Sequence, residues 1–349
     1  MMLGAVWAGC VVFTLAIPTS AHHGPVGSPS LYDVGDLVIL EGELTEVFWR
    51  SPHVRFRLKV LNDAGEETFW ELETGVPSQL ESGGITADLF PVGGHVKAAG
   101  FMALRYPNSL GLRNMLLPNG QEFAGTRSKL LWSTERVQRV QRQLESAKVE
   151  VAEQVADHIF RVWSATMRPS EWAAAHSYDH LLTAKARRSK ENYDPVSHPI
   201  LECKPRGMPE RMFAGSIEFI GNNEETITMR SLWWGGDRII HLGADEAPSG
   251  TLPTHIGYSV GHWDGGTLVV ETTHVDWPYF DRDGTPQSNQ VEFVERFTMT
   301  ADERRLNYML TAHDPVMFTD PIIVTNVFDW RPGNEVETSD CVLWDATTG

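Results

Sequence analysis

Three groups of residues combine side-chain type and spacing in ways that could do chemistry. The first is His22-His23 together with His53, which ends the stretch Trp49-Arg50-Ser51-Pro52-His53. A chain cut after Ala21 begins at His22 and offers a free α-amine and two imidazoles within three residues. A third imidazole completes a donor set suited to copper, with zinc as the alternative. With no metal, the same residues read as a polar tail and a loop histidine. The second group flanks Gly265-Gly266. If those two glycines form a hairpin loop, Asp264 faces Thr267, Ser259 faces Thr272, Gly257 faces His274 and His255 faces Asp276. Opposed Cβ atoms lie about 5 Å apart, within reach of a His255 to Asp276 hydrogen bond. Gly257 and Gly261 would leave room over that face for a ligand. His255, Ser259, Thr272 and Trp263 become ligand-binding candidates, and His274 with Asp276 a proton-transfer pair or an outward polar face. The third is Glu295, in phase with the apolar Val291, Phe293, Phe297 and Met299. A carboxylate on such a face either pairs with a buried arginine, such as Arg230 or Arg238, or has a raised pKa suited to catalysis. His176 and His180 have helical metal-ligand spacing but lack the glutamate of a metalloprotease helix.

Positioning these groups requires mostly strands. From residue 37 to 123, short alternating runs such as Val54-Arg55-Phe56-Arg57-Leu58-Lys59-Val60 are separated by turns. A helical piece near Pro77 to Ser82 falls between the third and fourth of five strands, the order of an OB-type barrel. A three- and four-residue apolar period from Val137 to Val162, capped by Ser133 or Thr134, predicts a long helix over 134–162, and a second helix is expected from Glu171 to Lys190. Pro195, Pro199, Pro205 and Pro209 then mark a linker. Beyond it, about nine strands run to Trp344, with explicit turns at Gly221-Asn222-Asn223, Gly235-Gly236-Asp237 and Pro332-Gly333-Asn334. This pattern predicts an antiparallel up-and-down barrel of lipocalin-like kind, roomy enough for a small ligand. The expected units are a leader over 1–21, an OB-like domain over 22–125, a helical connector over 126–200 and a barrel over 201–349.

Bulk properties narrow the partners. The chain has 349 residues, with 46 acidic against 29 basic, a net charge of −17 that disfavours nucleic acid and anionic lipid. The local basic run Lys185, Arg187, Arg188 and Lys190 reads as a solvated helix end. Leu3 to Ile17 is an uncharged apolar run followed by Pro18-Thr19-Ser20-Ala21, which reads as a secretory leader and cleavage site. The run is shorter than the roughly 20 residues a bilayer span needs, so no stable membrane insertion is expected after its removal. Cys10 follows Trp7-Ala8-Gly9, where Trp stands in place of the aliphatic residue of a lipoprotein box. In an oxidising compartment Cys203 and Cys341 are expected to form a disulfide. No glycine-rich phosphate loop opens a helix, so no nucleotide cofactor is expected.

Two resemblances add to this reading. Ala21-His22-His23 and Trp49 with Ser51-Pro52-His53 resemble the marks of uncharacterised secreted OB-like domains that start with Ala-His-His and carry Trp then Asn-Pro-His, here with Ser51 for Asn. Gly257 to Trp263, Gly265 to Val270 and Glu295-Arg296-Phe297 resemble a second group of uncharacterised bacterial secreted proteins, with Gly266 for the usual Asp. That likeness implies a common β fold. The Gly-x-Ser-x-Gly stretch lies in a strand and hairpin, so it is not a hydrolase elbow, which needs a strand-to-helix turn. The resulting expectation is a periplasmic or secreted protein that binds a small, partly apolar molecule in its C-terminal barrel, near Trp233, Trp234 and Trp263. Its N-terminal domain is expected to hold copper or zinc. An enzyme using Glu295 or His274 and Asp276 for proton transfer is the alternative, and an assembly role through helix 134–162 a third.

Overall fold

Alternating apolar residues and frequent turns build two β structures joined by irregular chain. The computed structural model describes residues 31–336 apart from 51–52, 63, 76, 83, 105, 126–127, 138–145, 167–177, 214 and 222–223. The first structure comprises β1 (Tyr32–Phe48), β2 (Arg55–Leu61), β3 (Glu67–Glu73), helix α1 (Pro77–Ser82), β4 (His95–Ala103), β5 (Ser109–Leu116) and the short β6 (Glu122–Ala124). β1 pairs antiparallel with β2 and β4, β2 with β3 and β4 with β5, while β3 and β5 meet in parallel. The ring β1-β2-β3-β5-β4 closes on itself, with α1 between its third and fourth strands, as the OB-type reading expects. β1 passes from one partner to the other near Gly42, where a side-chain carbon would run into the backbone carbonyl of Lys59, so only glycine fits. Leu44, Phe56, Leu58, Leu72, Leu110 and Met115 fill the interior.

The expected helix over 134–162 does not form as one element. Glu122 of β6 is buried and accepts hydrogen bonds from the backbone of Leu131, Trp132 and Ser133, each at 2.9 Å, and a further bond from Asn114. The backbone of Glu135 and Val137 then pairs with Glu122. The chain over 131–137 is therefore held against β6 in bends and a β-bridge, not in a helix. Helix α2 is confined to Ser146–Val155, and Val151 and Val155 on it are exposed. Residues 162–165 are a strand, because Trp163 is fully buried, with its indole N–H on the Ile159 carbonyl at 2.9 Å. Of the second expected helix, α3 (Ala184–Glu191) is seen, with Thr183 capping its N-terminus and Arg188 and Lys190 in its last turn. Before it, Asp179–Leu181 is a 3-10 turn and Leu182 a β-bridge to Phe318, so the helix starts later than expected, while 171–177, including His176, lie outside the described residues.

The second structure is a closed barrel of β7 (Val162–Ala165), β8 (Ser216–Gly221), β9 (Thr226–Ser231), β10 (Arg238–Leu242), β11 (Tyr258–Asp264), β12 (Thr267–Thr273), β13 (Glu292–Met299), β14 (Arg305–His313) and β15 (Ile322–Trp330). Two features correct the up-and-down expectation. β7 comes from the stretch expected to be helical connector, and it fills the seam between β15 and β8. β10 and β11 run parallel, so the barrel is mixed. The segment between them carries Pro248 and Pro253 and returns the chain to the end where β10 began, which a short hairpin cannot do. The strand expected near 336–344 falls almost wholly outside the described residues. Cys203 is disulfide-bonded, and Cys341, the partner expected from the sequence, also lies outside them. No helix among the described residues is long and apolar enough to cross a membrane. Replacing Glu122 with Ala strands three backbone N–H groups, and urea titration should register a loss of about 3 kcal/mol or more. An unchanged midpoint would show that the 131–137 segment is held by something else.

Candidate functional site

Inside the barrel, Glu295 is fully buried and paired with Arg238, one of the two arginines the sequence offers as its partner. Arg238 holds it with two guanidinium nitrogens, Nη1 at 3.1 Å from Oε1 and Nη2 on Oε2, and the Tyr308 hydroxyl donates to Oε1 at 2.9 Å. Arg238 Nε donates to Ser259 Oγ at 2.8 Å and Nη2 to Thr272 Oγ1 at 2.6 Å. Ser259 and Thr272 face each other in register and touch at 3.0 Å, as the hairpin reading expects. Their hydroxyls therefore serve Arg238. Burial and the Glu295 charge push the Tyr308 phenol well above its usual range. Arg230 pairs instead with Glu218 and Asp237 nearer the surface.

The rest of the predicted hairpin site does not assemble. Pairing of β11 with β12 ends at Tyr258 and Thr273, because Gly257 has φ +72° and its N–H turns back to the Thr254 carbonyl. Thr254, not His255, then meets the Val275 and Asp276 backbone. Asp276 is exposed, and His274, with φ +57°, bonds its neighbour Thr273. The room expected over Gly257 and Gly261 is already taken, by the Thr273 carbonyl and Val275 over one and by Ile240 over the other. Trp263 lies exposed at the opposite end, edge-on to His158. His180 sits exposed in a 3-10 turn, Asp179–Leu181, not on a helix.

In the first domain His53 Nδ1 lies 3.1 Å from Glu73 Oε1 and 3.2 Å from the Thr74 carbonyl, and Tyr32 donates to the same Glu73 oxygen at 3.2 Å. Burial opposes protonation of His53, but the charge and hydrogen bond of Glu73 outweigh it and raise the pKa; the Arg282 charge subtracts from that gain. Arg282 belongs to the second structure, so its guanidinium acts on the first domain's histidine. His22 and His23 lie outside the described residues, and among the described ones no group of three His, Cys, Asp or Glu is placed to hold a metal.

The densest polar cluster lies in the stretch expected to be linker. Residues 178–213 cross the barrel end where β10, β11 and β13 begin, tied down by a Leu182 to Phe318 bridge and by Met208 N–H on the His255 carbonyl at 2.9 Å. Prolines start successive 3-10 turns at Pro195–Ser197 and Pro199–Glu202, and Glu210–Met212 makes a third. Gly207 fits only because it has no side chain, since a Cβ would meet the Trp277 ring and the His255 carbonyl. Next to it, Arg206 stacks on Trp233 at 4.1 Å and ion-pairs with Glu210. Arg282 Nε lies 3.6 Å from the same Glu210 oxygen. His198 accepts the Ile200 N–H on Nδ1 at 3.3 Å, which leaves the ring proton on Nε2. That Nε2 faces Glu210 Oε2 at 3.6 Å, too far for a hydrogen bond. Tyr279 stacks on His198 at 5.1 Å, with Trp277 and Tyr193 edge-on to it.

Several atoms of this cap are buried without a hydrogen-bond partner among the described residues: His198 Nε2, Glu210 Oε2, Arg206 Nε and the indole nitrogens of Trp233 and Trp277. His198, Glu210 and Arg206 each have side chains no more than 4% exposed, so bulk water does not reach them freely. Burial, reinforced by Arg206 and Arg282 and resisted by Glu210, takes His198 down to about 4, so it is neutral at pH 7. Burial likewise lowers Arg206 to about 9, against the pull of Glu210. Arg211 plugs the barrel end, donating to the carbonyls of Trp233, Trp234 and Gly236, and His255 beside it is lowered by burial and by its charge. Asp281 accepts from the Asp283 and Thr285 amides, yet burial raises it to about 6. At the other barrel end a surface groove of about 740 Å³ runs past Arg304, Arg305, Asp329, Trp330 and Arg331.

Fold and site together define a mainly β protein, an N-terminal OB-type ring and a C-terminal nine-strand mixed barrel whose one end is capped by a buried arginine, histidine, glutamate and tryptophan cluster. Residues 10–113 match a family of unknown function (DUF6152), less than a third of the chain and within it most of the OB-type ring. No curated protein and no solved structure shows a match to the chain.

Glu295→Gln removes the charge that Arg238 needs, and a loss of about 3–5 kcal/mol in urea unfolding is expected, most of it recovered in a volume-matched Arg238→Met, Glu295→Leu double variant. Full stability in the single variant would remove Glu295 from the structural role. Asp281 has a folded pKa above its unfolded value, so the native state binds more protons and stability falls as pH rises from about 4 to about 6. Asp281→Asn should therefore match the wild type at pH 4 and exceed it by up to about 3 kcal/mol above pH 7. His198 works in the opposite sense, with a depressed pKa whose contribution grows as pH rises from about 4 to about 6.5. In the Asp281→Asn protein a stability curve that rises across this window is the expected result, and a falling one would refute the assignment.

Proposed function

We propose that the protein is an exported small-molecule-binding protein whose ligand seats in the capped end of the C-terminal barrel, not along the barrel axis. The observation that carries this reading is the set of buried polar atoms on His198, Glu210, Arg206, Trp233 and Trp277 that no group among the described residues satisfies. A protein rarely buries so many unmatched donors and acceptors in one place unless another molecule completes them. Stacked aromatic walls add the apolar part of a partly apolar ligand. The barrel axis offers no comparable set, because Arg238, Glu295, Tyr308, Ser259 and Thr272 satisfy one another there.

An enzymatic role is the second reading, now resting on the neutral His198 and the facing Glu210 as a proton-transfer pair. For the N-terminal domain we retain copper or zinc on His22, His23 and His53. Support comes from His53 Nδ1, which Glu73 and the Thr74 carbonyl hold, fixing the ring and leaving Nε2 for a metal. Native mass spectrometry of the full processed chain tests both parts. A bound small molecule lost in Trp233→Ala and Trp277→Ala is expected, as is one copper or zinc lost in His53→Ala. A bare protein mass, with no change in tryptophan fluorescence against fractionated small-molecule extract, would sink the binding reading.

A further inference from the structure

His198 and Glu210 set a donor and an acceptor side by side in the cap. His198 spends Nδ1 on the Ile200 N–H at 3.3 Å, so its Nε2 carries the proton and is a donor. Glu210 gives Oε1 to Arg206 and Arg282, which leaves Oε2 as an acceptor. The two remaining atoms lie 3.6 Å apart, too far to bond each other, and neither has a hydrogen-bond partner among the described residues. Arg206 Nε and the indole nitrogens of Trp233 and Trp277 are further donors without partners, against one more acceptor, Gln287 Oε1.

Charge favours neither an anion nor a cation. Burial and the charges of Glu210, Tyr279, Asp281 and Asp283 push the Tyr193 phenol up, which places three carboxylates around that ring, itself edge-on to His198. They stand against Arg206, Arg211 and Arg282, and Arg282 has contacts beyond Glu210. The pairs of Arg230 with Asp237 and Lys190 with Asp179 flank them without changing the balance. No excess of positive charge is left for an anion, and the unmatched N–H groups oppose a cation. The solvent side of the cap is aromatic, because the half-buried Tyr279 stacks on His198 with planes 27° apart and meets the half-buried Tyr193 at 5.0 Å.

Resting on the binding reading above, we propose that the cap takes a neutral, flat cyclic amide, whose ring carbonyl accepts from His198 Nε2 and whose adjacent N–H donates to Glu210 Oε2. A ring holds its amide cis, so both groups leave one edge and meet a neighbouring donor and acceptor together. An open-chain trans amide points them apart. The rings of Tyr279 and Trp277 supply the flat apolar contact, and the indole N–H groups serve a further carbonyl of the ligand. Glu210 thus orients Arg206 through one oxygen and reads the ligand through the other. A ligand without the N–H leaves that buried oxygen unpaired, which is the source of the selectivity.

The test is calorimetric titration of the full processed chain with 2-pyridone, with 2-pyranone, in which a ring oxygen replaces the N–H at the same size, and with benzoate. Saturable binding of 2-pyridone at about 1 mM is expected, a range open to so small a ligand, with 2-pyranone and benzoate each at least about tenfold weaker. His198 and Glu210 are buried, so the exchange of N–H for oxygen in the ligand probes them in the unaltered protein. Tyr279 is only half-buried, and Tyr279→Ala should keep the wild-type far-UV circular dichroism while weakening 2-pyridone about fivefold or more. Equal affinity for 2-pyridone and 2-pyranone means that the ligand N–H has no partner, and benzoate binding as tightly as 2-pyridone means that charge is read instead. Each of those results overturns the amide assignment, as does unaltered 2-pyridone affinity in a folded Tyr279→Ala protein. Absence of 2-pyridone binding in a protein that nonetheless carries a small molecule in native mass spectra rejects this inference alone. Absence of both rejects the binding reading with it.

Discussion

A guanidinium sealed inside a barrel cannot shed its proton, and that constraint organises the C-terminal structure. Arg238 is buried beyond the reach of water, so its charge has to be met by protein atoms. Glu295 on β13, Ser259 on β11, Thr272 on β12 and Tyr308 on β14, itself bound to Glu295, supply the network. Those residues belong to four strands beside the one that carries Arg238. Slipping any of them by one residue would turn its polar group outward and leave a charge uncompensated. The polar centre thus specifies register in a way that the surrounding leucines and phenylalanines, which tolerate exchange, do not.

The same centre explains why the barrel axis is a poor place for a ligand and its capped end a better one. Along the axis Arg238, Glu295, Tyr308, Ser259 and Thr272 bond one another, and side chains such as Phe219, Phe297 and Phe328 pack around them. In the cap, residues drawn from 3-10 turns and loops bring together more donors than acceptors. Unsatisfied polar atoms of this kind cost stability, and they persist where function repays it. The two arginine environments differ in this respect: each guanidinium nitrogen of Arg238 donates to a protein oxygen, whereas Arg206 Nε has no partner among the described residues.

Local patterning made the strands legible and left the cap obscure. Alternation in β2, β13 and β14 and the Gly265-Gly266 turn read correctly, because each depends only on neighbours in sequence. Glu295 on an apolar face already pointed to a buried arginine, and Arg238 was one of the two candidates. The helix over 134–162 failed at both ends, because the backbone of Glu135 and Val137 pairs with Glu122 of an earlier strand and Trp163 is drawn into the barrel interior with its strand. The His255 and Asp276 pairing failed at Gly257, whose positive φ turns the chain before the ladder reaches them. The linker reading took four prolines as boundary marks, whereas Pro195 and Pro199 begin tight 3-10 turns. What could have revealed the cap is its content: a linker seldom holds His198, Arg206, Gly207, Glu210 and Arg211 within so short a stretch, with tryptophans at 233, 234 and 277 available to cover them.

β7 sits in the seam between the last strand of the barrel and β8. A ribosome makes it before any other barrel strand, and β15 comes last. Until β15 has emerged, one edge of β7 has nothing to pair with, and Trp163 lacks most of the interior that buries it. The barrel therefore matures as a single late event, its first-made and last-made pieces meeting across the whole intervening chain, which is a slow, non-local search. A nascent chain halted short of β15 would present two open sheet edges at once, the kind of surface that chaperones hold and neighbouring chains stick to.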